Sequence, residues 1–296
     1  MIPHGRAGVT ELRLPISPTT VLETGRRLWH GAKWLVYYSG QGDVVSLKHV
    51  FEYLRAFDVP IRIRRYYGIR LSNSTPLGAM KGVFLFGIYT RHPEFLPGPS
   101  DVVADIGAQY GDYALLCAIH YRVRAVYSFE PNPVTFAVLV ENARANDASD
   151  RILPFNLALG ARSGVSAASL RGDMIVKPSE SDRNEDRHTV TVATLDSVSI
   201  HPTLVKIDTE GFELDILRGS ADTLAKEAPR VIVEAHSRDL RNQCVEFMEA
   251  AGYSLRHEDS TEQYGAKHDS ATWNLFFLKP ESMRNKMNPN TIMATL

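Results

Sequence analysis

The stretch Val102-Val-Ala-Asp-Ile-Gly-Ala-Gln-Tyr-Gly111 constrains the fold more than any other part of the chain. An apolar run ends in an acid, two glycines follow four residues apart, and a helical pattern then begins. This predicts a strand, a tight turn and a helix, the unit at which open α/β sheets bind nucleotides. Gly107 would let the backbone turn sharply, and Gly111 would let the helix start close to a ligand, with no Cβ in the way. The middle glycine of a dinucleotide fingerprint is missing, because position 109 is Gln. That glycine is what lets a backbone approach a pyrophosphate, so its loss points to a nucleoside ligand without phosphates.

Downstream, strand and helix patterns alternate. Strands are expected at Val102–Ile106, Ala125–Phe129, Ile152–Leu157, Leu204–Ile207 and Arg230–Glu234. Helices are expected at Tyr113–His120, Thr135–Asn146, Glu213–Lys226 and Arg238–Ala251, the last ended by Gly252. Tyr253–Arg256 and Trp273–Leu278 have no helical pattern between them and should pair antiparallel. The fold class is therefore α/β, a doubly wound, mostly parallel seven-stranded sheet. Val165–Leu170 and Thr189–Leu195 read as a β-hairpin inserted at about 162–195, with the charged residues 179–187 as a mobile loop.

Upstream lies an N-terminal α+β extension. Residues 1–20 read as an extended arm, Thr24–Tyr38 and Ser46–Phe57 as amphipathic helices, the second stopped before Pro60. Ile61–Leu71 alternates with period two and predicts strands around a turn at Gly68. Pro93, Pro97, Gly98 and Pro99 place a boundary near residue 98. The expected division is 1–98 extension, 99–280 core domain and 281–296 tail.

A formal net charge of -1 gives no global pull toward nucleic acid or an anionic membrane. Arg26–Lys33 and Arg62–Arg65 remain as local basic patches. Two cysteines, Cys117 and Cys244, lie in helical patterns without metal or disulfide spacing, which makes a reducing cytoplasm the expectation. No apolar run reaches the roughly 18 residues of a membrane span, and no signal-peptide pattern opens the chain.

Glu130 ends the second strand about twenty residues beyond the glycine loop, where an acid can accept hydrogen bonds from ribose hydroxyls. Asp105-x-Gly-x-x-x-Gly111 with Glu130 is the pattern expected for S-adenosylmethionine. Lys206, Asp208 and Glu210 alternate along one strand and share a face at the edge where doubly wound sheets place their sites. Two neighbouring carboxylates raise each other's proton affinity, which can bring one to act near neutral pH. Glu234 and His236 end the next strand in the same direction, and His236 could take a hydroxyl proton. No metal is required, although Asp208, Glu210, Glu234 and His236 converge closely enough to leave room for a divalent ion.

Five blocks occur in order: Asp105-Ile-Gly-Ala, Phe129-Glu-Pro-Asn-Pro, Asn156-Leu-Ala-Leu-Gly160, Thr194-Leu-Asp-Ser197 and Lys206-Ile-Asp-Thr-Glu-Gly-Phe-Glu213. Over roughly residues 80–280 the chain resembles the FkbM-type methyltransferases. The resemblance implies a Rossmann-like class I methyltransferase that uses S-adenosylmethionine and yields S-adenosylhomocysteine. Many members methylate hydroxyls of sugars, polyketides and other natural products. By position, Asp105, Gly107 and Gly111, with Ala108 and Tyr110 in the same loop, would form the methionine and ribose side of the cofactor pocket. Glu130 would hold the ribose, Pro131 and Asn132 would shape the turn beside it, and Asn156 and Ala158 would line the adenine. Asp208 would belong to both the cofactor and the catalytic set.

The leading expectation is O-methylation of a hydroxyl on a sugar, glycan or other small molecule. An RNA or protein acceptor is the alternative within the same chemistry. A non-catalytic cofactor-binding scaffold is the alternative outside it, its N-terminal helices docking a partner or packing in a homo-oligomer.

Overall fold

The computed structural model describes residues 59–76, 78–171, 174–176, 187–260 and 271–280. The chain divides into two compact units at Val59/Pro60, and the fold described here belongs to the second. The helices expected within residues 20–57, the charged stretch 179–186 and the tail 281–296 lie outside the described residues.

Eleven strands form two sheets among the described residues. The larger sheet contains β1 (Val102–Ile106), β2 (Ala125–Phe129), β3 (Ile152–Phe155), β8 (Leu204–Ile207), β9 (Arg230–Ala235), β10 (Ser254–Ser260) and β11 (Trp273–Leu278). Their order is β10-β11-β9-β8-β1-β2-β3. The strands from β9 to β3 run parallel, while β11 pairs antiparallel with both β9 and β10. The smaller sheet has the order β4-β7-β5-β6, from β4 (Ala158–Leu159), β5 (Gly164–Arg171), β6 (Met174–Val176) and β7 (Arg187–Ala193). The antiparallel β5–β7 pair is the expected hairpin insertion, and its neighbour β4 follows directly from the end of β3.

The parallel strands are buried on both faces, and for that reason they read as unbroken apolar runs. All four residues of β8 are buried. On one face Ile207, Val231 and Val233 meet Leu214, Leu217, Cys244 and Met248 from the helices below. Each such Leu or Met contributes about 1.5–3 kcal/mol of transfer free energy.

Seven α-helices complete the described residues: α1 (Val59–Tyr67), α2 (Lys81–Phe84), α3 (Asp112–Leu115), α4 (Pro133–Ala145), α5 (Glu213–Arg218), α6 (Ala221–Lys226) and α7 (Arg238–Ala250). A π-turn, Leu116–His120, continues α3. The side chain of Asn132 accepts from Val134 N at 2.9 Å and Pro133 opens α4, a start signal that the sequence carries openly.

Two sequence expectations are corrected. Residues 61–67 are helical, not a strand. Ile63 is buried and Tyr67 half-buried one turn later, with Arg64, Arg65 and Tyr66 exposed between them, and Pro60 is accommodated in the first turn. A short run of alternating apolar and basic residues fits either period, and packing decides it. Gly68, at φ +75°, ends the helix, its N–H donating to Arg64 O at 3.1 Å. The single helix expected over Glu213–Lys226 is broken at Gly219, where a Cβ would lie 2.0 Å from Gly160 O.

Candidate active site

Register builds the site. Ile106, Ile207 and Val233 are partners across β1, β8 and β9. The next residues, Gly107, Asp208 and Glu234, therefore end three parallel strands side by side, at the edge where such sheets bind ligands. Gly107 has φ +75°, and a Cβ on it would lie 1.8 Å from Asp208 O. Its glycine lets two loop backbones meet.

One row below, Lys206 partners Asp105. The Lys206 ammonium lies 3.2 Å from Asp105 Oδ1 and 3.8 Å from Asp208 Oδ2, and donates to Gly107 O at 2.8 Å. Burial works against this charge, but Asp105, Asp208 and Asp112 outweigh it and hold the lysine above its usual range. Asp105 is itself fully buried, and burial pushes its pKa upward against the pull of Lys206. Asp105 and Lys206 thus form a buried ion pair under the site that fixes the loops above them.

Beyond Asp208 the backbone enters the left-handed region at Glu210 (φ 52°) and Gly211 (φ 108°). The buried Glu213 carboxylate holds this turn, its Oε1 accepting from Thr209 N at 3.2 Å and Gly211 N at 3.0 Å. The same oxygen accepts from His236 Nδ1 at 3.0 Å. His236 Nε2 then faces Asp208 Oδ1 at 3.5 Å and Glu210 Oε2 at 3.6 Å. Burial opposes an imidazolium, yet the Glu213 bond and the charges of Asp208, Glu213 and Glu210 raise His236 to about 10. Burial and then the charge of Asp208 raise Glu234 to about 7, against His236, Tyr89 and Lys206.

A cavity of about 430 Å³ opens beside this cluster. Of the residues expected to bind the cofactor, Gly107, Glu130, Pro131, Ala158 and Asp208 line it; of the catalytic set, Asp208 and Glu210 do. Glu234 and His236 stand behind Asp208. Glu130 Oε2 accepts from Gln109 N and Oε1 from Asn132 N, both at 2.8 Å. Burial raises its pKa against these two bonds, a hydrogen bond from the Thr135 side chain and the charge of Lys206. A carboxylate has about four acceptor positions; with Gln109, Asn132 and Thr135 as donors, Glu130 keeps capacity for about one more.

The remaining expected residues surround the cavity without lining it. Asn156 Nδ2 donates to Glu130 O at 2.9 Å and Pro131 O at 3.1 Å, which orients that wall. Asn132 caps α4. Ala108 is buried, and Tyr110 O accepts from Asn142 Nδ2 at 2.9 Å. At Gly111 (φ +82°) a Cβ would meet Leu139 Cγ at 3.1 Å, so this glycine admits a helix side chain.

Two polar residues central to the cluster were not in the expected set. Glu213 stands three residues after Glu210, legible only as an acid in a first helical turn. Tyr89 places its hydroxyl between two carboxyl groups, 2.8 Å from Asp208 Oδ2 and 2.7 Å from Glu234 Oε2. No spacing in the sequence signals a contact across 119 residues. The insertion also supplies a cavity wall, through Gly160–Ala168, Val190 and Val192.

Donor atoms of Asp208, Glu234 and His236 lie within 4.8 Å of one another, a spacing that could admit a cation. The Tyr89 hydroxyl already bridges the two carboxylates, and Lys206 supplies a positive charge beside Asp208.

Residues 105–255 match the sequence family described as the methyltransferase FkbM domain, just over half of the chain. The chain belongs to the FkbM methyltransferase domain family. Every residue of the cluster except Tyr89 falls inside the matched stretch of this FkbM domain. Hexuronic acid methyltransferase AglP of Haloferax volcanii is 32% identical over 149 residues, 46% of this chain and 56% of that protein. The 31-O-demethyl-FK506 methyltransferase FkbM of Streptomyces tacrolimicus is 37% identical over 70 residues, 24% of this chain and 26% of that protein. The match thus spans little more than half of the first relative's length and a quarter of the second's. Among solved structures, methyltransferase FkbM from Methylobacillus flagellatus superposes with a TM-score of 0.46 at 18% identity, covering 88% of this chain and 60% of that one. No helix among the described residues is long and apolar enough to cross a membrane.

Proposed function

We propose that this chain is an S-adenosylmethionine-dependent O-methyltransferase acting on a hydroxyl group of a sugar, glycan or natural product. One observation carries the reading: Glu130 and Asp208 line the same cavity. One has unused acceptor capacity for a ribose, and the other ends a strand beside a buried cation. The FkbM domain and the names of its sugar and natural-product relatives support the acceptor class.

S-adenosylmethionine, when bound, supplies a methyl group already activated on a sulfonium sulfur. Its ribose would be held by Glu130. The adenine would fit the apolar slot of Pro131, Leu157 and Ala158, as flat bases do in mostly apolar pockets with a few polar atoms. The volume, about 430 Å³, lies in the range of small-molecule pockets. The protein's own work is alignment and proton removal. Asp208 is the group placed to accept the hydroxyl proton, since it faces the cavity. His236, held as an imidazolium, has no lone pair for that proton and instead stands as a cation 3.5 Å from Asp208.

The charge balance favours a neutral acceptor. Among the described residues, Asp105, Asp208, Glu210 and Glu213 lie beside two cationic side chains, Lys206 and His236. An anionic nucleophile would meet net repulsion here, whereas a neutral hydroxyl meets a base. We read residues 99–280 as the methyltransferase domain, with the preceding segment delivering Tyr89 to it.

The test is direct. Calorimetry should show S-adenosylmethionine binding, abolished in Glu130→Ala. A panel of hexose glycosides should then give S-adenosylhomocysteine with at least one member, and Asp208→Asn should remove that product. Absence of cofactor binding by the intact protein would sink the reading.

A further inference from the structure

Tyr89 precedes the family-matched stretch, which begins at Asp105. Its hydroxyl nevertheless sits 2.8 Å from Asp208 Oδ2 and 2.7 Å from Glu234 Oε2. Both are distances of O–H···O hydrogen bonds. A phenol has one proton and donates it once. Two such bonds to two carboxyl groups therefore require a second proton, carried by one of the carboxyls.

The surroundings say which one. Asp208 lies 3.8 Å from the Lys206 ammonium and 3.5 Å from His236 Nε2, so two cationic groups stand beside its carboxyl. It also lines the cavity, where Glu234 and Tyr89 do not. Glu234 lies behind it, against the charge of Asp208. We propose that Tyr89 is a positioning residue that relays the acceptor's proton from Asp208 to Glu234, so that the group facing the substrate is not the group that keeps the proton. This rests on the reading of the chain as a hydroxyl methyltransferase.

The step balances as follows. The acceptor O–H bond breaks as its oxygen bonds the methyl carbon, and the C–S electron pair stays on sulfur. The proton arrives on Asp208 Oδ2 and passes to the Tyr89 oxygen, while Tyr89's own proton passes to Glu234 Oε2. Asp208 ends ionised, Tyr89 a neutral phenol and Glu234 a carboxylic acid, which later returns its proton to solvent. When Glu234 is already protonated the relay is full. The rate should therefore rise with pH through the ionisation of Glu234, whose pKa stands at about 7.

Glu234 is faced by Asp208, His236, Lys206 and the Tyr89 hydroxyl. Tyr89 is buried and faced by Asp208, Glu234 and Asp112, which with burial hold its pKa well above the usual phenol value, so it relays without ionising. The Lys206 ammonium stands 5.4 Å over its ring. The ring also packs edge-on against Tyr113 at 5.3 Å, a contact that phenylalanine would keep.

Infrared titration of the full chain, with no acceptor added, reads the stored proton. Over pH about 5 to 9, wild type should lose a protonated-carboxyl band with a midpoint of about 7. The band should be missing in Glu234→Gln. In Tyr89→Phe the midpoint should move upward, because the lost hydrogen bond stabilised the carboxylate. Identical titrations for wild type and Glu234→Gln would overturn the relay. With a hexose glycoside that yields product, Tyr89→Phe should lower kcat about 10–100-fold, flatten its rise with pH and leave the KM for S-adenosylmethionine near wild type. An unchanged kcat–pH profile would also overturn it. A titrating Glu234 in a protein that binds no S-adenosylmethionine would instead defeat the functional reading and spare the shared proton.

Discussion

Replacing Gly107 by alanine separates two explanations of the glycine loop. Its Cβ would lie 1.8 Å from Asp208 O, and real Cβ contacts essentially never fall under 3.0 Å. The two loops must therefore part by about 1.2 Å, the difference between those distances. A left-handed φ costs a non-glycine residue roughly 1–2 kcal/mol, and overpacking a tight contact costs about 1–3 kcal/mol. The total is roughly 2–5 kcal/mol, which for a domain of this size lowers Tm by roughly 5–20 °C. Displacing the base by about 1 Å should also lower kcat on the order of 100-fold. Scanning calorimetry measures the first effect, and S-adenosylhomocysteine formation on folded protein measures the second. A Gly107→Ala protein with wild-type Tm, wild-type kcat and weakened cofactor binding would refute the argument. Gly107 would then serve the ligand alone.

Further outcomes follow from the same geometry. Glu130→Gln should weaken S-adenosylmethionine binding about 10–100-fold by calorimetry, since charged hydrogen bonds are worth about 1.5–3 kcal/mol each and the amide would turn an N–H toward Gln109 N or Asn132 N. Glu213→Gln should move the His236 imidazole titration, followed by NMR, from about 10 toward the unperturbed value near 6.5; an unmoved midpoint would exclude Glu213 as the cause. Because the folded pKa of His236 is raised, its stabilisation is complete below pH of about 6.5 and is lost as pH rises through about 10. Urea unfolding of wild type should show that decline, and His236→Gln should flatten it. Dialysis against EDTA should leave methyl transfer unchanged, because Tyr89 and Lys206 already serve Asp208; loss of activity restored by magnesium or manganese would show that a cation belongs there.

The sequence by itself determined the sheet. Strands buried on both faces must be apolar runs, and helices packed on a sheet must repeat near 3.6 residues, so the pattern from Val102 to Leu278 is readable without coordinates. It also determined the acid at position 130 and the row ending in Asp208 and Glu234, since alternation along a strand and the strand's end are local properties. Where one segment fits two periods, as in Ile61–Leu71, only packing could choose, and burial of Ile63 with Tyr67 chose a helix. The break at Gly219 needed the approach of Gly160, and the burial of Glu213 needed a histidine from the next strand. Tyr89 shows the limit most plainly. Its role depends on a hydroxyl placed between two carboxylates 119 and 145 residues away, and no local regularity records so distant a contact. The opening loop from Asp105 to Gly111 is thus legible as a turn in the sequence. What packs against its glycines came from the tertiary structure: the backbone of Asp208 at Gly107, and Leu139 at Gly111.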